Sequence, residues 1–117
     1  MSNATRNSKF IAVEKAIEAA GISISLMMRV PGPLKSLADQ VIRSASSVAA
    51  NLSEGHGRFG RDRIHHWRIA YASAKEVDTQ LKLLLGAGAI DHVRADEALK
   101  LFDEVRAIIW RLLHPRS

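Results

Sequence analysis

From Phe10 to Leu112, apolar and small side chains return every three or four residues, and no useful stretch alternates with a period of two. A chain patterned this way hides its apolar surface as amphipathic helices rather than as strands. Three interruptions divide the pattern: Pro31-Gly32-Pro33, the run GHGRFG from Gly55 to Gly60, and the pair Gly86 and Gly88. Proline lacks the amide donor and pushes the preceding residue out of the helical region, and glycine clusters favour turns. Four helical blocks remain.

In the first block Phe10, Val13, Ile17, Ala20, Ile24 and Met27 form the expected buried stripe. In the second, after Pro33 as a first-turn residue, the stripe is Leu34, Leu37, Ala38, Val41, Ala45, Val48 and Leu52. The third carries Ile64, Trp67, Ala70, Tyr71, Ala74, Val77, Leu81 and Leu84. Asp91 is placed to cap the fourth, lined by Ala98, Leu101, Phe102, Val105, Ile108, Ile109 and Leu112. Helices of roughly 20 residues, each about 30 Å long and joined by short loops, predict an all-α, antiparallel up-down-up-down four-helix bundle. The 117 residues suffice for one domain, 1–117, with residues 1–7 expected as a flexible leader.

Composition narrows the function. There is no cysteine, hence no disulfide, thiolate nucleophile or Cys-based zinc site. The longest apolar run, Ile22 to Met28, is broken by serines and falls short of the roughly 18–20 residues that span a bilayer. The polar start MSNATRNSK lacks the apolar core of a secretory signal, and a cytoplasmic location is expected. Seventeen Lys and Arg against twelve Asp and Glu leave a net charge of +5, which suits an anionic partner.

Some polar residues sit where packing alone would not select them. Ser73, Glu76 and Gln80 share a stripe of the third helix. Arg43, Ser47, Asn51 and Glu54 would face it from the second in an antiparallel pair. Arg43 is expected to meet Glu76 or Gln80, and Asn51 to bond Ser73 or a nearby backbone group. Such a network fixes register more than it adds stability, and Glu76→Ala is expected to weaken the protein or its oligomer. Glu54 and Glu76 do not read as a catalytic or metal pair, because bundle metal sites want Glu-x-x-His on two helices. Adjacent His65 and His66 diverge on a helix and form no i, i+4 chelate. No enzyme, cofactor or metal site is expected.

Charge is most lopsided at the turn into the third helix. Arg58, Arg61, Arg63 and Arg68, with His56, His65 and His66, face only Glu54 and Asp62. Planar guanidinium groups near a helix N-terminus suit phosphate, so Arg58, Arg61, Arg63 and Arg68, assisted by His65 or His66, are the expected nucleic-acid contacts. Phe59 would stack a base if its ring is exposed. The competing reading pairs this basic corner with carboxylates of a neighbouring subunit, for which Asp96, Glu97, Asp103 and Glu104 are available.

QVIRSASSVAANLSEG is similar to the Q-I-R-R-A-A-x-S-I-P-A-N-I-A-E-G signature of the family of proteins encoded in 23S rRNA intervening sequences. Gln40, Arg43, Ser47, Ala50, Asn51, Glu54 and Gly55 stand at matching positions. IAYASAKEVDTQL resembles the family's second motif through Ile69, Ala70, Ser73, Glu76, Thr79, Gln80 and Leu81. Ala49 stands where the family has proline, Gly60 where a capping serine is common, and Ala72 where it has glycine. The resemblance implies a four-helix bundle assembled as a ring-like homopentamer. More distantly the chain resembles the accessory variability determinant of diversity-generating retroelements, a basic pentamer that binds nucleic acid. The resulting expectation is a non-enzymatic homo-oligomer whose partners are itself and RNA or DNA, with a protein-only scaffold as the alternative.

Overall fold

The structure, a computed structural model, describes residues 4–116; residues 1–3 of the expected leader, and the side chains of residues 4–8, lie outside the description. Four helices follow in order: α1 (Ala4–Met27), α2 (Lys35–His56), α3 (Gly60–Gly86) and α4 (His92–Leu113), with a 3-10 turn at Gly32–Leu34 before α2. α1 thus begins inside the stretch expected to fray. α2 runs unbroken through Ala49, where proline would have removed a hydrogen bond.

Contacts fix the directions. Ser47 meets Ser73 and Asn51 meets His66, so α2 numbers fall as α3 numbers rise. Lys15 pairs with Glu104, and Asp78 with Arg106 while Tyr71 lies by Trp110. Val13 lies by Ser53 and Met27 by Ala38. Among the described residues each helix backbone packs closely on its two neighbours, giving an antiparallel square about 47 Å long, and across the diagonal Lys9 of α1 reaches over the Trp67 ring of α3 at 5.8 Å.

Local chemistry explains the ends. The Asp91 carboxylate accepts from the Arg94 amide at 2.8 Å and caps α4 as expected. After α3, Gly88 takes φ +69°, and the Ala89 amide reaches back to the Leu84 carbonyl at 2.9 Å while Gly88 reaches Leu85. That is a Schellman closure, which wants glycine. α3 opens without a side-chain cap, and Gly60 there has φ +57°. A serine at this position would be strained, so the departure from the family pattern follows from the backbone.

Phe102, Leu52, Leu81, Leu84, Ile109 and Val41 are fully enclosed. The stripes expected on α2, α3 and α4 are buried or half-buried throughout. α1 is the exception. Its buried line is Ala12, Ala16, Ala19, Ala20, Ile22, Ser23, Leu26 and Met27, whereas Phe10 and Ile17 are each 59% exposed. α1 is apolar on two sides, and periodicity cannot choose between two stripes of equal period. Of the expected stripe Ala20 and Met27 are buried and Val13 and Ile24 half-buried; the small Ala12, Ala16 and Ala19 let the first half of α1 approach its neighbours closely and leave Phe10 and Ile17 outside.

Candidate nucleic-acid interface at the basic end of the bundle

An antiparallel square brings the start of α1, the α2–α3 turn and the end of α4 to one end. Across residues 9–13, 54–68 and 107–116 the cations are Lys9, Arg58, Arg61, Arg63, Arg68, Arg111 and Arg116, and the carboxylates are Glu54 and Asp62. Arg58 takes up both: its Nε donates to Glu54 at 2.9 Å and its Nη1 to Asp62 at 2.7 Å. Hydrogen bonding from Arg58 holds the Asp62 carboxyl below its usual range, and the same bonds raise Arg58. With these two carboxylates occupied by one arginine, the remaining charge across these residues is positive, and the exposed Glu14 borders them on α1.

Arg63 has a different task. Its Nε donates to the Gly55 carbonyl at 3.0 Å, which also accepts the Arg58 amide, and its Nη2 to the His56 carbonyl at 3.2 Å, so the side chain caps the end of α2. Its guanidinium also lies 5.4 Å from the Trp67 ring centre and 5.7 Å from that of Phe59. Among the expected contacts, Arg61 and Arg68 are exposed and carry no ion pair among the described residues. Phe59 is 83% exposed, the condition set for base stacking.

The two histidines part company. His65 is exposed, its ring edge-on to His66 at 5.5 Å. His66 turns inward: Nδ1 donates to Asn51 Oδ1 at 2.9 Å, because the Asn51 amide nitrogen is spent on the Ser47 carbonyl and hydroxyl, each at 3.0 Å. Ser73 donates to the same Ser47 hydroxyl at 2.9 Å. The polar network of the α2–α3 seam is therefore His66–Asn51–Ser47–Ser73. His66, expected among the phosphate contacts, is joined to this network through its Nδ1.

The rest of the expected network does not join it. No hydrogen bond or ion pair links Arg43 to Glu76 or Gln80 among the described residues; Arg43 and Glu76 are exposed across a groove of about 420 Å³ lined also by Gln40, Ser44, Ser47 and Ser73. Gln80 is 6% exposed, with Oε1 unpaired among the described residues. Glu76→Ala thus has no described contact within one subunit to remove. Glu54, paired with Arg58, lies about 18 Å along the axis from Glu76, from the helical rise between Glu54 and the level of Glu76 on α2. The two carboxylates do not share a site.

Beneath the basic end lies Trp67, 4% exposed. A Cβ on Gly55 would stand 2.7 Å from its Cδ1 and Nε1, so the glycine of the first motif makes room for this ring. His56 stands edge-on to Trp67 at 6.2 Å, and burial, then Lys9 and Arg63, push its pKa below the ordinary value. Lys9, Arg111 and Arg116 line a cleft of about 390 Å³ against Trp67. Sequence reasoning missed these three cations because they lie near the chain's two ends. The signal was available: in any up-down bundle those ends meet beside the α2–α3 turn.

A four-helix bundle with charge segregated at one end and a polar seam between its central helices defines a small basic helical protein. The chain belongs to the 23S rRNA-intervening sequence protein family, which it matches over residues 8–111. Its fold is similar to the crystal structure of a protein with unknown function from the S23 ribosomal protein family of Bacteroides thetaiotaomicron, with a TM-score of 0.82 at 22% identity over 92% of this chain and 98% of that one. No curated protein matches the sequence. Among the described residues, no helix is long and apolar enough to cross a membrane.

Proposed function

We propose that the protein is a non-enzymatic, cytoplasmic homo-oligomer that binds RNA or other nucleic acid through its basic end. The observation that carries the reading is the charge segregation: Arg58 engages both carboxylates of this end and leaves Lys9, Arg61, Arg68, Arg111 and Arg116 without described ion pairs. Such a surface neutralises phosphates and releases their counterions. The α4 carboxylates available to a protein-only assembly each have a contact in the same subunit, whereas Glu14, Glu18 and Glu76 are exposed without an ion pair among the described residues. Asp96 pairs with His92, Glu97 with Arg94, Asp103 with Arg106, and Glu104 with Lys15.

The outer stripe of α1 supports assembly with copies of itself. Ile17 is 59% exposed and Met28, just past the end of α1, 80%, with half-buried Ile24 between them. Surface of that kind is commonly covered by a partner. The family resemblance supports a pentamer, and a closed ring of that kind would repeat each basic end about one axis.

The test is anisotropy of labelled RNA and DNA at low and near-physiological salt, with Arg61→Glu/Arg68→Glu as the variant. Arg63 is left intact because it caps α2. Binding that weakens with salt and by about ten-fold or more in the variant is expected, each lost phosphate contact also flattening the salt slope by roughly one unit. Absence of binding at low salt would overturn the reading.

A further inference from the structure

On the far side of the square from the α1 stripe, the α3–α4 groove contains an aromatic surface that the core does not use. Trp110 is 50% exposed on α4. Its ring stacks on His114 at 4.2 Å and 21°, and His114 is held there by its Nδ1, which donates to the Trp110 carbonyl at 2.8 Å. The pair is a fixed platform. Beside it opens a groove of about 560 Å³ lined by Tyr71, Asp103, Arg106, Ala107, Trp110 and Arg111. Ala107, small and exposed, leaves the indole uncovered on the α4 surface.

The charge around this groove suits a phosphate. Arg106 pairs with Asp103 and, at 3.8 Å, with Asp78, so the groove's own carboxylate is offset. Arg111 has no ion pair among the described residues, and it lines both this groove and the cleft that holds Lys9, Trp67 and Arg116. The aromatic groove is therefore continuous with the basic end. Every nucleobase offers a π-face, and stacking beside a cationic track is how proteins hold single strands without reading sequence.

We propose that the Trp110 groove binds an unpaired nucleobase, the indole stacking on the base while Arg111 engages the adjoining phosphate. The ligand class is then single-stranded nucleic acid, or a loop with splayed bases, rather than duplex, whose bases are stacked on one another. This inference rests on the nucleic-acid reading above and adds what the strand must look like.

The experiment compares a labelled, unstructured oligonucleotide with a duplex of the same length, binding to the full chain and to Trp110→Ala, Trp110→Phe and Arg61→Glu/Arg68→Glu. Melting and sedimentation of each variant run alongside. Trp110→Ala is expected to weaken the single strand by about ten-fold and the duplex hardly at all, with the salt slope unchanged. Trp110→Phe is expected to restore most of the loss. Of the two tryptophans, Trp67 is buried, so emission quenched by the single strand should come from Trp110 and vanish in Trp110→Phe. If Trp110→Ala binds the single strand like the parent while Arg61→Glu/Arg68→Glu does not bind, the stacking proposal falls and the electrostatic reading stands. If the parent binds neither nucleic acid, both fall. A change in sedimenting mass on Trp110→Ala would assign the platform to contacts between copies and overturn the proposal.

Discussion

The α2–α3 seam and α1 are packed by opposite means. Between α2 and α3, directional contacts set the register: Ser73 on Ser47, His66 on Asn51, Arg63 on the last α2 carbonyls, and Gly55 flush against the Trp67 ring. α1 lies on its neighbours mostly through alanine, and its one described side-chain bond to another helix is Lys15 to Glu104 at 3.3 Å. A seam made of specific donors and acceptors tolerates one alignment. A seam of small apolar residues is close and dry, but many alignments satisfy it almost equally. One region specifies the fold; the other completes it.

The strongest way to break that contrast is Gly55→Ala. Helix propensity alone favours alanine over glycine by about 1 kcal/mol. The new Cβ would stand 2.7 Å from a buried indole that cannot swing away cheaply, so the sign reverses. Overpacking of this kind costs about 1–3 kcal/mol, and we expect a net loss near 2 kcal/mol, read from denaturant midpoints. A stabilised variant would mean that Trp67 is not held against Gly55.

Legibility followed the same division. The four blocks, their breaks and the Asp91 cap could be read from spacing and punctuation, because a 3.6 period and a proline act locally. The stripes of α2, α3 and α4 were also legible, each being the one apolar face its helix has. α1 has two, and which one faces inward depends on how closely α2 and α4 approach, a property of the assembled square. In the site, Arg61 and Arg68 were identifiable as surface base. The tasks of Arg58, Arg63 and His66 were not, since each is decided by a partner that its own motif does not contain. Arg63 lies near the exposed Arg61 and Arg68 in sequence, yet the helix end behind it claims its donors.

A smaller perturbation sharpens the polar side of the comparison. Ser47→Ala removes the oxygen on which Ser73 and Asn51 converge, while Asn51 keeps its bond to the Ser47 carbonyl. Ser73 is only 9% exposed, so its hydroxyl would be left buried without its described partner. A loss of about 1 kcal/mol is expected. Combining it with Ser73→Ala should recover part of that loss, because removing both partners leaves nothing unsatisfied. Strict additivity of the two substitutions would show that the hydroxyls do not communicate.

The smallest effect on the fold, and the most telling about α1, belongs to Ile17→Asp. Ile17 is 59% exposed, so a charge there stays in water and the subunit should melt within about 0.5 kcal/mol of the parent. If the outer stripe meets a second copy, the same charge would enter an apolar contact, where an unpaired carboxylate is not tolerated. Sedimentation should then move towards the monomer while helicity is kept. An assembly indifferent to Ile17→Asp would remove the stripe from the interface and require another account of why α1 carries two apolar faces. The pairing of near-normal folding with lost assembly is what distinguishes a helix completed by a neighbour from one that is merely apolar outside.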